Sequence, residues 1–147
     1  MVYRLFQFLN RFFPAKPVYA HCDIPCGVYD PASAHIAARG VYAMLEKMQP
    51  LKSLETVHDQ HDFIRMVKVK EEQADVCKKE LLILWTDYFK QEHLEMFPDL
   101  HEIFWKAAKQ CSAVKRTTEI EEGKKLLELV KQISDMFRKA EEAKHSH

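Results

Sequence analysis

The sequence predicts an all-α protein, an up-down-up-down four-helix bundle, on three observations. Glycine and proline are scarce, three and six among 147 residues, which leaves little material for hairpin turns. Ala, Glu, Lys and Leu, all good helix formers, fill long stretches free of both. Four such stretches carry apolar residues at helical spacing, and their short connections make consecutive helices antiparallel neighbours. The chain is long enough to bury a core of its own.

Residues 1–20 are chemically distinct. They hold Arg4, Arg11 and Lys16 and no acid, so residues 21–147 carry 19 basic against 22 acidic groups, although the whole chain balances at 22 of each. Val2, Leu5, Phe6, Leu9, Phe12 and Phe13 share one helical face, opposite Arg4, Gln7 and Arg11, and Pro14 stops that helix. Pro17 keeps Lys16 extended, the conformation a protease accepts. Val18-Tyr19-Ala20 has the look of a small-x-small cleavage site, but Gln7, Asn10 and Arg11 interrupt the apolar run of a secretory signal. The segment reads as a leader removed by a processing protease between Ala20 and His21, from a protein that stays cytoplasmic, with export as the alternative.

The body follows in order. Asp30-Pro31 is an N-cap followed by proline at the first helical position, and the helix runs to about Gln49 with Ile36, Val41, Leu45 and Met48 inward. Pro50 ends it. Ser53 and Thr56 open a long second helix reaching about Lys90, with Val57, Ile64, Val67, Ala74, Cys77, Leu81, Leu84 and Tyr88 on its apolar stripe and a kink within it. Pro98 opens a third, with Leu100, Ile103, Phe104, Ala107, Ala108 and Cys111 inward. Thr118-Glu119-Ile120-Glu121 is a capping box for the fourth, which buries Leu127, Val130, Ile133 and Phe137. The bundle thus spans residues 31–142, and residues 143–147 form a charged, frayed tail.

The balanced charge gives no sign of a nucleic-acid partner, and no apolar run approaches the roughly 18–20 residues of a membrane span. Cys77 and Cys111 sit inside helical patterns, where buried free thiols are common. Cys22 and Cys26 lie in a turn-rich segment and read as a disulfide, a redox pair or metal ligands. Cleavage before His21 enlarges the ligand set. It frees an α-amine beside the imidazole, and a bound metal can displace the proton of the Cys22 amide. Amine, amidate and the thiolates of Cys22 and Cys26 then make a plane of two nitrogens and two sulfurs with the imidazole above it. Such a set suits Ni(II) or Cu(II) rather than tetrahedral zinc.

Residues 21–31, His21-Cys22-Asp23-Ile24-Pro25-Cys26-Gly27-Val28-Tyr29-Asp30-Pro31, match every defined position of the nickel-hook signature. The chain therefore resembles the nickel superoxide dismutases. Leu84-Trp85-Thr86-Asp87-Tyr88-Phe89-Lys90 and the stretch from His93 to His101 are similar to later segments of that family, so the resemblance extends over most of residues 21–142. It implies an enzyme that disproportionates superoxide, with one nickel ion per chain alternating between Ni(III) and Ni(II). It also implies a leader cut before His21 and a homohexamer of four-helix bundles with an N-terminal metal-binding hook. In that reading His21, Cys22 and Cys26 hold the metal, Pro25 and Gly27 shape the hook, and Tyr29, Asp23 and Tyr88 serve the substrate. One part departs. Ala37 and Gln73 stand where members of the family have a glutamate and an arginine that hold the axial histidine, leaving Arg39, Glu72 or a neighbouring subunit as substitutes.

Other features carry less. His58-Asp59-Gln60-His61-Asp62 reads as a solvated helix face, since no third ligand element accompanies it. His93 and His101 flank Pro98 and read as capping or surface residues. His145 and His147 can bind metal adventitiously. Trp85, Phe89, Phe97, Phe104 and Trp105 read as core or subunit interface. A delivery module that binds nickel or copper without turnover is the competing function, and a secreted bundle with a Cys22–Cys26 disulfide is a third. Tyr29 behind the hook favours the enzyme.

Overall fold

The computed structural model describes residues 28–144, and every regular element within them is helical. In chain order these are α1 (Ala32–Met48), α2 (Val57–Ile83), a π-helical turn (Leu84–Tyr88), the single-turn α3 (His93–Met96), α4 (Leu100–Lys115) and α5 (Ile120–Lys144). The long helices pack as a ring, α1 on α2 and α5, and α4 on α2 and α5. Tyr88, at the end of α2, meets both Tyr29 just before α1 and Glu141 near the end of α5. Gln49, after α1, reaches Thr118 just before α5. These meetings fix the alternating up and down directions of the bundle.

Local chemistry starts the helices. Asp30 Oδ1 accepts the Ala32 N–H at 2.7 Å, so Asp30 caps α1 with Pro31 in its first turn. At α2, Thr56 Oγ1 accepts the Asp59 N–H and Asp59 Oδ2 accepts the Thr56 N–H, each at 3.1 Å, a reciprocal capping box. At the entry to α5 the hydroxyl that accepts a backbone N–H is that of Thr117, from Glu119 at 3.0 Å, one residue earlier than the expected box. α5 then runs to Lys144, past the expected bundle boundary at 142.

The core confirms most of the apolar stripes and corrects three positions. Val41, Leu45, Ala74, Cys77, Leu81, Phe104, Cys111, Val130 and Ile133 are buried. Ile36 is instead 68% exposed, because α1 turns a stripe of small residues inward (Ala34, Ala37, Ala38, Val41) and Ile36 lies on the opposite side. Val57 and Ile64 are 83% and 65% exposed. The first half of α2 packs through Phe63, Met66 and Val67 instead, so one stripe extrapolated along 27 residues misses the inward face at its start.

A buried lysine was not foreseen. Lys70 is 2% exposed, and its Nζ donates to the carbonyls of Lys115, at 3.2 Å, and Thr117. It satisfies carbonyl groups that the end of α4 leaves without helical partners.

Candidate functional site

The site is built where residue 28 joins the bundle. Tyr29 is half-buried ahead of the capped start of α1, and its ring centroid lies 5.6 Å from that of Tyr88. The sequence expected these tyrosines to serve one site, and the fold brings them together. The hook itself lies outside the described residues: Ala20, His21, Cys22, Asp23, Pro25, Cys26 and Gly27 all precede Val28.

Tyr88 owes its place to the π-helical turn. The N–H of Phe89 bonds to the carbonyl of Leu84 at 3.0 Å, a five-residue step in place of four, which widens the end of α2. The ring of Tyr88 is packed by Phe137 at 4.4 Å, Phe89 at 4.9 Å edge-on and His93 at 5.7 Å in a stack. Its hydroxyl donates to Glu141 Oε1 at 2.5 Å. Burial first, then this bond to a carboxylate, pushes the phenol well above its ordinary range, so it stays neutral.

Two histidines hold the same region. His93, expected to cap or to lie at the surface, is 4% exposed and takes the first role: its Nδ1 accepts the Lys90 N–H at 2.9 Å, closing the loop after the π turn. His101 Nδ1 accepts the Trp85 indole N–H at 2.8 Å, and that indole stacks on Phe104. Sequence reasoning missed Glu141 and Lys144. Lys144 Nζ lies 2.5 Å from Glu141 Oε1, 3.4 Å from the Tyr88 oxygen and 4.4 Å from the Tyr88 ring centroid. Their only sequence signal is the i,i+3 charge pair on the last turn.

The departures from the hook family take definite places. Ala37 is buried in the core, and Gln73 lies over Gly40, where an added Cβ would come within 3.0 Å of the Gln73 Cγ. Glu72 pairs with Lys68 at 3.7 Å on the surface, and Arg39 is exposed. His58 and His61 are also exposed, each beside Asp62.

Among the described residues no group of three or more His, Cys, Asp or Glu side chains is placed to hold a metal. Cys77 and Cys111 are buried free thiols. A hydrogen bond with Cys111, then burial, pushes the Cys77 thiol far up, and a neutral thiol is a poor ligand. The other two cysteines of the chain, Cys22 and Cys26, lie outside the described residues.

The family model for nickel-containing superoxide dismutase matches residues 16–141. The nickel superoxide dismutase of Streptomyces seoulensis is 43% identical over 136 residues, 92% of this chain and 99% of that protein. Its counterpart in Streptomyces coelicolor is 40% identical over the same length and shares. A crystal structure of a nickel-containing superoxide dismutase in its oxidised state aligns with a TM-score of 0.73 at 43% identity, covering 83% of this chain and 99% of that one. With the family model matching most of the chain and relatives at 40–43% identity over 92% of it, the chain belongs to the nickel-containing superoxide dismutase family.

Proposed function

We propose that this protein is a nickel-dependent superoxide dismutase that becomes competent when the chain is cut before His21. The observation that carries the reading is the meeting of Tyr29 and Tyr88 at the point where the hook joins the bundle. His21 would hold nickel through its amine and imidazole, Cys22 through its amidate and thiolate, and Cys26 through its thiolate. When bound, the ion supplies one-electron chemistry between Ni(III) and Ni(II), so that two superoxide anions and two protons yield one O2 and one H2O2.

The chain's own residues do the rest. Pro25 and Gly27 shape the hook, and the Asp23 backbone with the Tyr29 ring narrows the approach to small anions. The Tyr29 hydroxyl orders water and hands on protons that peroxide requires. Behind it, Tyr88 keeps its proton and gives Tyr29 a neutral wall rather than a second negative charge. The exposure of Ile36, Ile64 and Trp105 supports contact between copies of the chain, with a homohexamer as the expected assembly.

The test combines elemental analysis, N-terminal mass and superoxide consumption, on protein made with and without its processing protease. One nickel per chain and activity are expected only in material starting at His21. Full activity in material that retains residues 1–20 would overturn the reading, because an acylated His21 nitrogen cannot complete the donor set.

A further inference from the structure

We propose that Glu141 is a positioning residue for dismutation, acting through Tyr88 from the last turn of α5, a role that rests on the function proposed above. The rings of Phe137, Phe89 and His93 confine the plane of Tyr88 but leave its hydroxyl to be placed. Glu141 places it. One carboxylate oxygen accepts the phenol proton at 2.5 Å, and the same oxygen is held by Lys144 Nζ at 2.5 Å, so the acceptor is itself fixed. Among the described residues, the charged and titratable groups facing Tyr88 are Tyr29 from the approach to α1, His93 from α3, and Glu141 and Lys144 from α5.

The arrangement has a direction. A carboxylate acceptor stabilises the protonated phenol and opposes its ionisation, the more so in a buried place. The substrate is an anion, and a phenolate behind Tyr29 would repel it. Glu141 therefore fixes both where Tyr88 stands and the pH at which it turns against the substrate. Lys144 balances the charge of Glu141, so with the phenol neutral the cluster of phenol, carboxylate and ammonium carries no net charge.

The experiment compares wild type, Glu141→Gln, Glu141→Ala and Tyr88→Phe, each cleaved and nickel-loaded. Phenolate absorbance is followed against pH, and the step absent from Tyr88→Phe belongs to Tyr88. Superoxide consumption is measured over the same range. Glu141→Gln keeps an acceptor of the same shape but no charge. Its Tyr88 step is expected about one pH unit lower, with the alkaline fall in activity moving alongside. Glu141→Ala also frees the ring, and kcat/KM near neutrality is expected to drop roughly tenfold. An unmoved phenolate step in Glu141→Gln, or a moved step with an unmoved activity profile, overturns the proposal. If Glu141→Ala fails to fold, Glu141→Gln decides on those two readouts. Wild-type protein inactive towards superoxide would bring down the functional reading, whereas active wild type with an unchanged Glu141→Gln profile brings down this inference alone.

Discussion

At the end of the bundle where α4 hands over to α5, side chains tie the backbone, whereas the end that receives residue 28 is packed with rings. Gln49 Nε2 donates to the carbonyls of Leu45 and Thr118, Lys70 to those of Lys115 and Thr117, and Gln110 Nε2 to that of Glu122. Lys115 adds an ion pair to Asp75 at 2.8 Å. The ties to Leu45 and Lys115 meet a need that any helix end has, a carbonyl without a helical donor. The opposite end departs from helical regularity at the π turn and collects Tyr29, Tyr88, His93 and Phe137 around it. Backbone ties gather where the helices finish regularly, and aromatic rings where one of them does not.

The sharpest way to break this division is at the hook. In Cys26→Ser a hydroxyl replaces a thiolate, and nickel content and activity should fall together by more than about a hundredfold, the range already reached when only an outer partner of a ligand is lost. The described core lies in residues 34–140, so the thermal midpoint should stay near that of wild type. A large drop in the midpoint would mean that hook and bundle are one cooperative unit.

Lys70→Met probes the tied end. It keeps the bulk of the side chain and removes the donor to two carbonyls, and urea unfolding should show a loss of about 2 kcal/mol with activity per nickel unchanged. A loss under about 0.5 kcal/mol would mean that water replaces the amine. A pH series sharpens the result. Burial holds the Lys70 amine below its ordinary range, so the folded state favours the neutral form more than the unfolded chain does. Protonation thus costs stability at lower pH. That cost disappears as pH rises from the folded value towards the ordinary lysine value of about 10.4, and this gain should be missing in Lys70→Met.

Cys77→Ala has the smallest expected effect. Cys77 lies midway between the two ends, fully buried, and its loss should cost on the order of 1 kcal/mol without change in nickel content. Loss of nickel with the fold intact would make Cys77 a ligand and undo the assignment to Cys22 and Cys26.

Much of this was legible in the sequence because its signals are local. Asp30-Pro31 caps a helix within a few residues, and the hook signature is a contiguous run. Helical periodicity located the buried faces of α4 and α5 for the same reason. The π turn had no such signal. Leu84 to Tyr88 reads as ordinary helix, and no spacing in those residues marks the widened turn. The bond from Tyr88 to Glu141 spans 53 residues, and Lys70 finds its carbonyls 45 and 47 residues away. A lysine between Val69 and the acidic pair Glu71-Glu72 gives no hint that it will be covered. Ile36 shows the reverse error: a large apolar residue reads as core until the alanines beside it prove to be the packed face.

The partners of Tyr88 are scattered from residue 29 to residue 144, and that spread sets an order in time. A ribosome adding roughly 5–20 residues per second takes about three to ten seconds to pass from Tyr88 to Glu141. During that interval Tyr29 is already made, while the wall behind it lacks Phe137, Glu141 and Lys144. A residue synthesised early is therefore among the last to receive its surroundings.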